Sequence, residues 1–218
     1  MVAFTLEIVK SAMADPSESS AASSAEETRN RIDQIADAAM RMFARYGYKR
    51  SSMDDIAREA GLSKATLYLH FKGKDDVFRA MLVLLARRVE SRSRDVLGMD
   101  APFADRLSAL LQAQYGQAYT SCGTGEHLVE LKFMMASIAV QELQAFESLC
   151  VDYAKRLFTT ANEAGEIDLA KSGVALEELI ASMFFAAAGA KLGEPPSAEV
   201  YAERLDRIAC IFAAVVSR

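Results

Sequence analysis

Residues 52–76 read SMDDIAREAGLSKATLYLHFKGKDD, and the fold of the whole chain turns on how this stretch is parsed. Met53, Ile56, Ala57 and Ala60 recur at i, i+3, i+4 and i+7, the spacing of one face of a helix. Ser52 stands ahead of them as an N-cap, and Asp55 makes a near capping box. Gly61 ends this helix, because glycine enters the left-handed region without a Cβ penalty. Ser63 then caps a second helix that runs from Lys64 to about Phe71. Two helices joined by three or four residues that include a glycine form a helix-turn-helix, whose second helix can enter a DNA major groove.

That second helix is about 10 Å long, a size that is marginal in water without packing. Leu62, Leu67 and Phe71 can turn inward, whereas Lys64, Thr66, Tyr68, Leu69 and His70 cannot all do so. One side must therefore pack while the other presents donors. Lys72-Gly73-Lys74 opens a further, longer helix, with Asp75 and Asp76 placed at the positive end of its dipole.

Residues 28–78, TRNRIDQIADAAMRMFARYGYKRSSMDDIAREAGLSKATLYLHFKGKDDVF, resemble the DNA-binding domain of the tetracycline-repressor (TetR) family. The most specific part is GLSKATLYLHFKGKDDVF, with Gly61, Ser63, Thr66, Leu67, Tyr68, Phe71 and Lys74 in family register. RMFARYGY resembles the end of the family's first helix. The resemblance implies that Tyr68, His70 and Lys74 grip phosphate, helped by Ser52 and Thr66, with Ser63 also at the DNA. Lys64, Ala65 and Leu69 would face the groove floor, Lys64 toward guanine O6/N7 and Leu69 toward a thymine methyl. At Asp54 the family often has a basic residue, so this chain departs from the pattern there.

Composition agrees with an all-α fold: hydrophobic residues make up 51% of 218, with only 11 Gly and 4 Pro. The net charge of −5 conceals an asymmetry. Residues 25–95 carry 15 Lys+Arg against 11 Asp+Glu, whereas residues 96–218 carry 9 against 16. A basic segment on an acidic chain is the electrostatic footprint of a DNA-contacting end. Cys122, Cys150 and Cys210 share no metal-ligand or CxxC spacing, which suggests buried thiols in a reducing cytoplasm; a thiol redox sensor is the sharper alternative. His70 and His127 make no convincing metal site, so no metal and no cofactor are expected.

In chain order, residues 1–14 lack the basic start and apolar core of a secretory signal, and Met13 is a plausible translation start. Residues 15–25 are Ser/Ala-rich and read as disordered. A first helix follows from about Glu26 to Tyr46, striped by Ile32, Ile35, Ala36, Ala39, Met42, Phe43 and Tyr46. Lys49 and Arg50, in the connection to Ser52, could touch phosphate or simply be solvated. The helix from Lys74 to about Val96 turns Val77, Phe78, Met81, Leu82, Leu85 and Val89 inward. Its Arg87, Arg88, Arg92 and Arg94 are expected to be solvent-exposed or to pack on acidic helices, ahead of strengthening the field toward DNA.

Further helices are expected over 102–121, 126–138 and 140–164, with a break at 122–125. Those over 174–191 and 197–217 are apolar on more than one face but too interrupted to span a membrane. They resemble the family's terminal pair, which implies a four-helix bundle across a two-fold axis.

The expected organisation is a disordered tail (1–25), a helix-turn-helix domain (26–73), a connecting helix (74–98) and a ligand-binding and dimerisation domain (99–218). The expected function is a homodimeric repressor on double-stranded, palindromic operator DNA, released by a small apolar or amphipathic effector. Candidate effector contacts are Phe103, Tyr115, Tyr119, Phe133, Met134, Tyr153 and Met183, with Glu130, His127 or Gln141 as polar orienters. Two other readings are a ligand-independent architectural DNA-binding protein and an all-helical enzyme. The enzyme ranks last, since no nucleophile–base pair, metal spacing or phosphate loop is visible, and no catalytic residue is assigned.

Overall fold

The computed structural model describes residues 16–122 and 127–218, with side chains described from residue 24 and without that of Cys122. The proposed start at Met13 and most of the expected break at 122–125 lie outside these residues. The helices are α1 (Pro16–Tyr46), α2 (Met53–Glu59), α3 (Lys64–His70), α4 (Lys74–Leu97), α5 (Phe103–Leu111), α6 (Gln117–Cys122), α7 (Leu128–Ile138), α8 (Val140–Glu163), α9 (Leu176–Gly189) and α10 (Ala198–Val215). Gln112–Gly116 forms a π-turn between α5 and α6, and Leu169–Ser172 a 3-10 turn. The fold is all-α; among the described residues the one β-like feature is an antiparallel bridge between Ile167 and Ser217. No described helix is long and apolar enough to cross a membrane.

α1 departs from expectation by starting at Pro16 instead of about Glu26. Of the described side chains in this stretch, those of residues 24–30 are all exposed. Lengthening an existing helix avoids the nucleation cost, and proline suits a first helical position. The expected 102–121 helix is likewise not continuous, because the π-turn interrupts it.

Two cores hold the molecule. The first gathers Ile35, Ala39 and Phe43 of α1, Ile56 and Ala57 of α2, Leu67 of α3, and Val77, Phe78 and Met81 of α4. Phe43, Tyr48 and Phe78 meet there with ring centroids 5.3–5.7 Å apart. This core also takes in Leu131, Ala139 and Cys150, so the helix-turn-helix head is packed directly on α7 and α8. Arg87 pairs with Asp33, and Arg88 with Asp37 at 2.6 Å, which fastens α4 along α1; two of the four α4 arginines are thus packing groups. The second core joins Phe103, Leu107 and Leu110 of α5, Tyr153, Leu157 and Phe158 of α8, Ile180 and Met183 of α9, and Tyr201 and Leu205 of α10. Leu128, Leu149 and Phe184 pack against both cores and mark the seam between them.

Candidate DNA-binding surface and effector region

The head is built by local chemistry. Ser52 Oγ accepts the Asp55 amide at 3.2 Å, while the Asp55 carboxylate accepts the Ser52 amide at 3.2 Å, completing the capping box. The Ser52 hydroxyl, which donates to the Asp55 carboxylate, and then the Ser52 amide hold that carboxyl below its ordinary range. Gly61 lies at φ +67, and the Leu62 amide reaches back to the Ala57 carbonyl at 2.9 Å. Ser63 Oγ accepts the Thr66 amide at 3.0 Å and lies 2.8 Å from the Thr66 hydroxyl, so both hydroxyls are engaged at the start of α3. Leu67 is fully buried and Phe71 nearly so, which pins α3 on the first core.

The opposite face of α3 is open. Leu69 is 82% exposed and Tyr68 47% exposed; Lys64 and Ala65 are also exposed, and His70 and Thr66 half-buried. An exposed leucine on a seven-residue helix has no packing reason to be there, which is what a groove-facing position requires. Lys64 is not bare: its ammonium lies 2.8 Å and 3.0 Å from the two oxygens of Asp54 and 6.0 Å from the centre of the Tyr68 ring. The bond to Asp54 raises the Lys64 pKa.

Lys74 is placed differently from the expected phosphate grip. Its ammonium donates to the Tyr48 carbonyl at 2.7 Å and the Ser51 carbonyl at 2.9 Å, and sits 4.2 Å from the centre of the Tyr48 ring. Burial lowers its pKa, opposed by Asp75 and Glu130. Two of its three donors therefore tie the 47–51 connection to α4, because those carbonyls lie beyond the end of α1 with no helical partner. The Tyr48 phenol donates to Asp75, and burial followed by that bond pushes its pKa far up. Arg50 and Lys72 are exposed and make no ion pair among the described residues.

The candidate effector residues fall in several places. Phe103, Tyr119, Tyr153 and Met183 lie in the second core. Phe103 meets Phe158 edge-on at 5.1 Å, and the Tyr119 hydroxyl donates to the Pro196 carbonyl at 2.7 Å. Tyr115 packs on Phe184 at 5.4 Å, at the seam, and Met134 packs against the first core. Phe133 points away from both cores, 69% exposed. Gln141 is exposed at the rim of an open cleft of about 320 Å³ between α4 and α8, whose floor is Val83, Ala86, Ala145 and Leu149.

His127 and Glu130 do not join these groups. The Glu130 carboxylate accepts the Lys49 amide at 2.9 Å, and both side chains press on Gly47. A Cβ at Gly47 would lie 2.4 Å from Glu130 Oε2 and 2.9 Å from His127 Nδ1, and the backbone there has φ +81. Two of the three expected polar orienters, His127 and Glu130, thus form a clasp between α7 and the head. At the other end of α7, Arg79 Nε donates to the Ile138 carbonyl at 2.9 Å.

Residues 35–81 match the family described as bacterial regulatory proteins, tetR family. The chain is similar to the HTH-type transcriptional regulator SrpR of Pseudomonas putida, 36% identical over 92 residues, 42% of each chain. The tetR-family match covers the helix-turn-helix head and the start of α4.

YhgD of Bacillus subtilis, also an HTH-type transcriptional regulator, is 26% identical over 139 residues, 61% of this chain and 70% of that protein. The match therefore spans less than half the length of SrpR and about two thirds of YhgD. Among solved structures, SmeT, the repressor of a Stenotrophomonas maltophilia multidrug efflux pump, is 18% identical with a TM-score of 0.60, covering 86% of this chain and 90% of that one. That likeness carries the fold alone. Both YhgD and SrpR are HTH-type transcriptional regulators.

Sequence reading passed over Gln114, a buried polar residue next to Tyr115. It is 1% exposed in the π-turn; its amide nitrogen donates to the Cys150 carbonyl at 3.1 Å, and its oxygen has no hydrogen-bond partner. A signal existed, since Gln114 follows Leu107, Leu110 and Leu111 at an inward i+7 position. Cys150 is buried as expected, and burial pushes its thiol up to about 12. Cys210 is not buried; it faces outward on α10, beside Ile211 and Ala214.

Proposed function

We propose that the chain binds a palindromic operator as a homodimer and represses transcription until a small apolar or amphipathic molecule releases it. The observation that carries this is the open face of α3, with Leu69 82% exposed on a helix pinned by Leu67. Lys64, Ala65 and Leu69 then read base edges, and Ser52, Ser63, Thr66, Tyr68 and His70 hold the backbone. Lys74 contributes its remaining donor, mainly by fixing the 47–51 connection, while Arg50 and Lys72 add uncommitted charge. Such a DNA partner sets the protein in the cytoplasm.

The dimer is supported by the outer faces of α9 and α10, where Phe185 is 77% and Ile211 61% exposed beside Ala181, Ala188 and Ala214. Exposed apolar stripes on two neighbouring helices are what a two-fold bundle buries. The effector region is supported by the seam at Tyr115, Leu128, Leu149 and Phe184, next to the unpartnered oxygen of Gln114. A molecule that parts the two cores there moves α7, and the Glu130–Lys49 clasp passes that movement to the head. Repression follows IcaR of Staphylococcus epidermidis, a relative named as a negative regulator; FasR of Mycolicibacterium smegmatis, also a relative, is named an activator.

The test is selection of duplexes from a random pool, followed by sedimentation of the complex and by competition with apolar small molecules. A two-fold symmetric site bound by two chains supports the reading. Recovery of no preferred sequence removes it.

A further inference from the structure

We infer that Asp54 is a specificity-determining residue: it neutralises Lys64 on arbitrary DNA and yields it only to a base that can replace the carboxylate. This rests on the DNA-binding reading above and adds to it a reason for an acidic group on the DNA face. Asp54 lies in the first turn of α2 and Lys64 at the start of α3, so their pair bridges the two helices across the turn at Gly61. The ammonium is 2.8 Å and 3.0 Å from the two carboxylate oxygens, and the side chains keep 61% and 54% of their exposure. Neither charge is buried, and both face the solvent that DNA would displace.

Phosphate attracts a bare ammonium at every sequence alike, and each such contact releases counterions. A lysine held by a carboxylate at this distance presents almost no net charge to phosphate. The remaining cations of α2 are compensated in the same way, Arg58 by Asp55 at 3.4 Å, while Arg41 of α1 is held by Glu59 at 2.7 Å. The sequence-independent grip is thereby left to groups such as Arg50 and Lys72. An exposed ion pair is weakly held, so it opens where a better-placed acceptor is offered. In the major groove guanine offers two acceptors, O6 and N7, within reach of one ammonium. The freed carboxylate is then suited to a cytosine N4 amino group, the donor on the other side of the same base pair. The pair thus converts a lysine that would otherwise bind everywhere into one that counts chiefly at G·C.

The test uses the full-length chain and two duplexes of equal length, one selected by the wild type and one scrambled, titrated with salt by fluorescence anisotropy. With Asp54→Asn, the slope of log affinity against log salt on scrambled DNA steepens by about 0.9 for each head engaged. Extrapolated from 1 M to 0.1 M salt, that slope is worth about eightfold tighter scrambled binding per head. Binding to the selected duplex tightens less, so the ratio between the two duplexes falls. The doubly neutral Asp54→Ala/Lys64→Ala variant returns scrambled binding to the wild-type value while losing preference at one G·C position. Unchanged slope and scrambled affinity in Asp54→Asn overturn the inference, as does a double variant that keeps the G·C preference. A wild type that binds both duplexes equally fails at the earlier step, and overturns the DNA reading with it.

Discussion

Gly47→Ala tests whether α7 grips the head as the coordinates describe. Two glycines have nearly the same backbone, Gly47 at φ +81 and Gly61 at φ +67, but different surroundings. Nothing lies within 4 Å of a Cβ at Gly61, whereas at Gly47 it would meet Glu130 Oε2 at 2.4 Å and His127 Nδ1 at 2.9 Å. Alanine at Gly61 therefore meets only the left-handed backbone penalty, about 1–2 kcal/mol. Alanine at Gly47 meets the same penalty and also displaces the carboxylate from the Lys49 amide, a charge-assisted bond worth about 1.5–3 kcal/mol. The expected loss is about 2.5–5 kcal/mol against 1–2, or roughly 5–20 °C against 2–8 °C in a chain of this size. Urea and thermal unfolding at matched protein concentration read both variants. In a Glu130→Ala background the excess cost of Gly47→Ala should fall, since the obstructing carboxylate is gone and only the His127 ring remains against the new Cβ. If Gly47→Ala costs no more than Gly61→Ala, or costs the same with and without Glu130, the clasp is not what orders this junction.

Four further outcomes are expected. Lys74→Ala lowers stability by about 1–3 kcal/mol, because it takes the ammonium from the Ser51 carbonyl and leaves the Tyr48 carbonyl only the 3.3 Å bond from the Ser51 amide; a change in DNA affinity alone, with unfolding unaltered in urea, would restore it to a pure phosphate contact. In a Cys122→Ser variant, a thiol reagent near pH 8 labels Cys210 in the monomer at once and Cys150 only on unfolding, which mass spectrometry of the labelled peptides resolves. Stability declines as pH rises above about 9: the Cys150 thiol, raised from 9.0 to about 12, stays protonated in the fold while the unfolded chain ionises. Below pH 9 both states hold that proton and this group contributes no slope, so Cys150→Ala should flatten urea midpoints measured between pH 9 and 11 while leaving those near pH 7 level. Phe185→Glu combined with Ile211→Glu should give a folded monomer in sedimentation with unchanged helical circular dichroism; a dimer that persists would place the interface elsewhere.

The sequence by itself determined the elements of the head and the fold class. Ser52, Gly61 and Ser63 act within three or four residues of themselves, so caps and turn are legible without knowing what lies across the molecule. The helices Met53–Glu59, Lys64–His70 and Lys74–Leu97 accordingly agree with the reading to within one or two residues. Burial of Leu67 beneath an exposed Leu69 was equally legible, because helical periodicity alone separates those faces. What the chain does with its charges was decided only by tertiary structure. Lys74 finds its carbonyls 23 and 26 residues away, and Glu130 finds the Lys49 amide 81 residues away. Sequence supplies a donor and an acceptor in each case, but a charged group takes whichever partner the packed chain brings within 3 Å. The placement of the candidate effector residues shared this limit: packing alone put Tyr115 at the seam, Phe133 in solvent and Glu130 against the head.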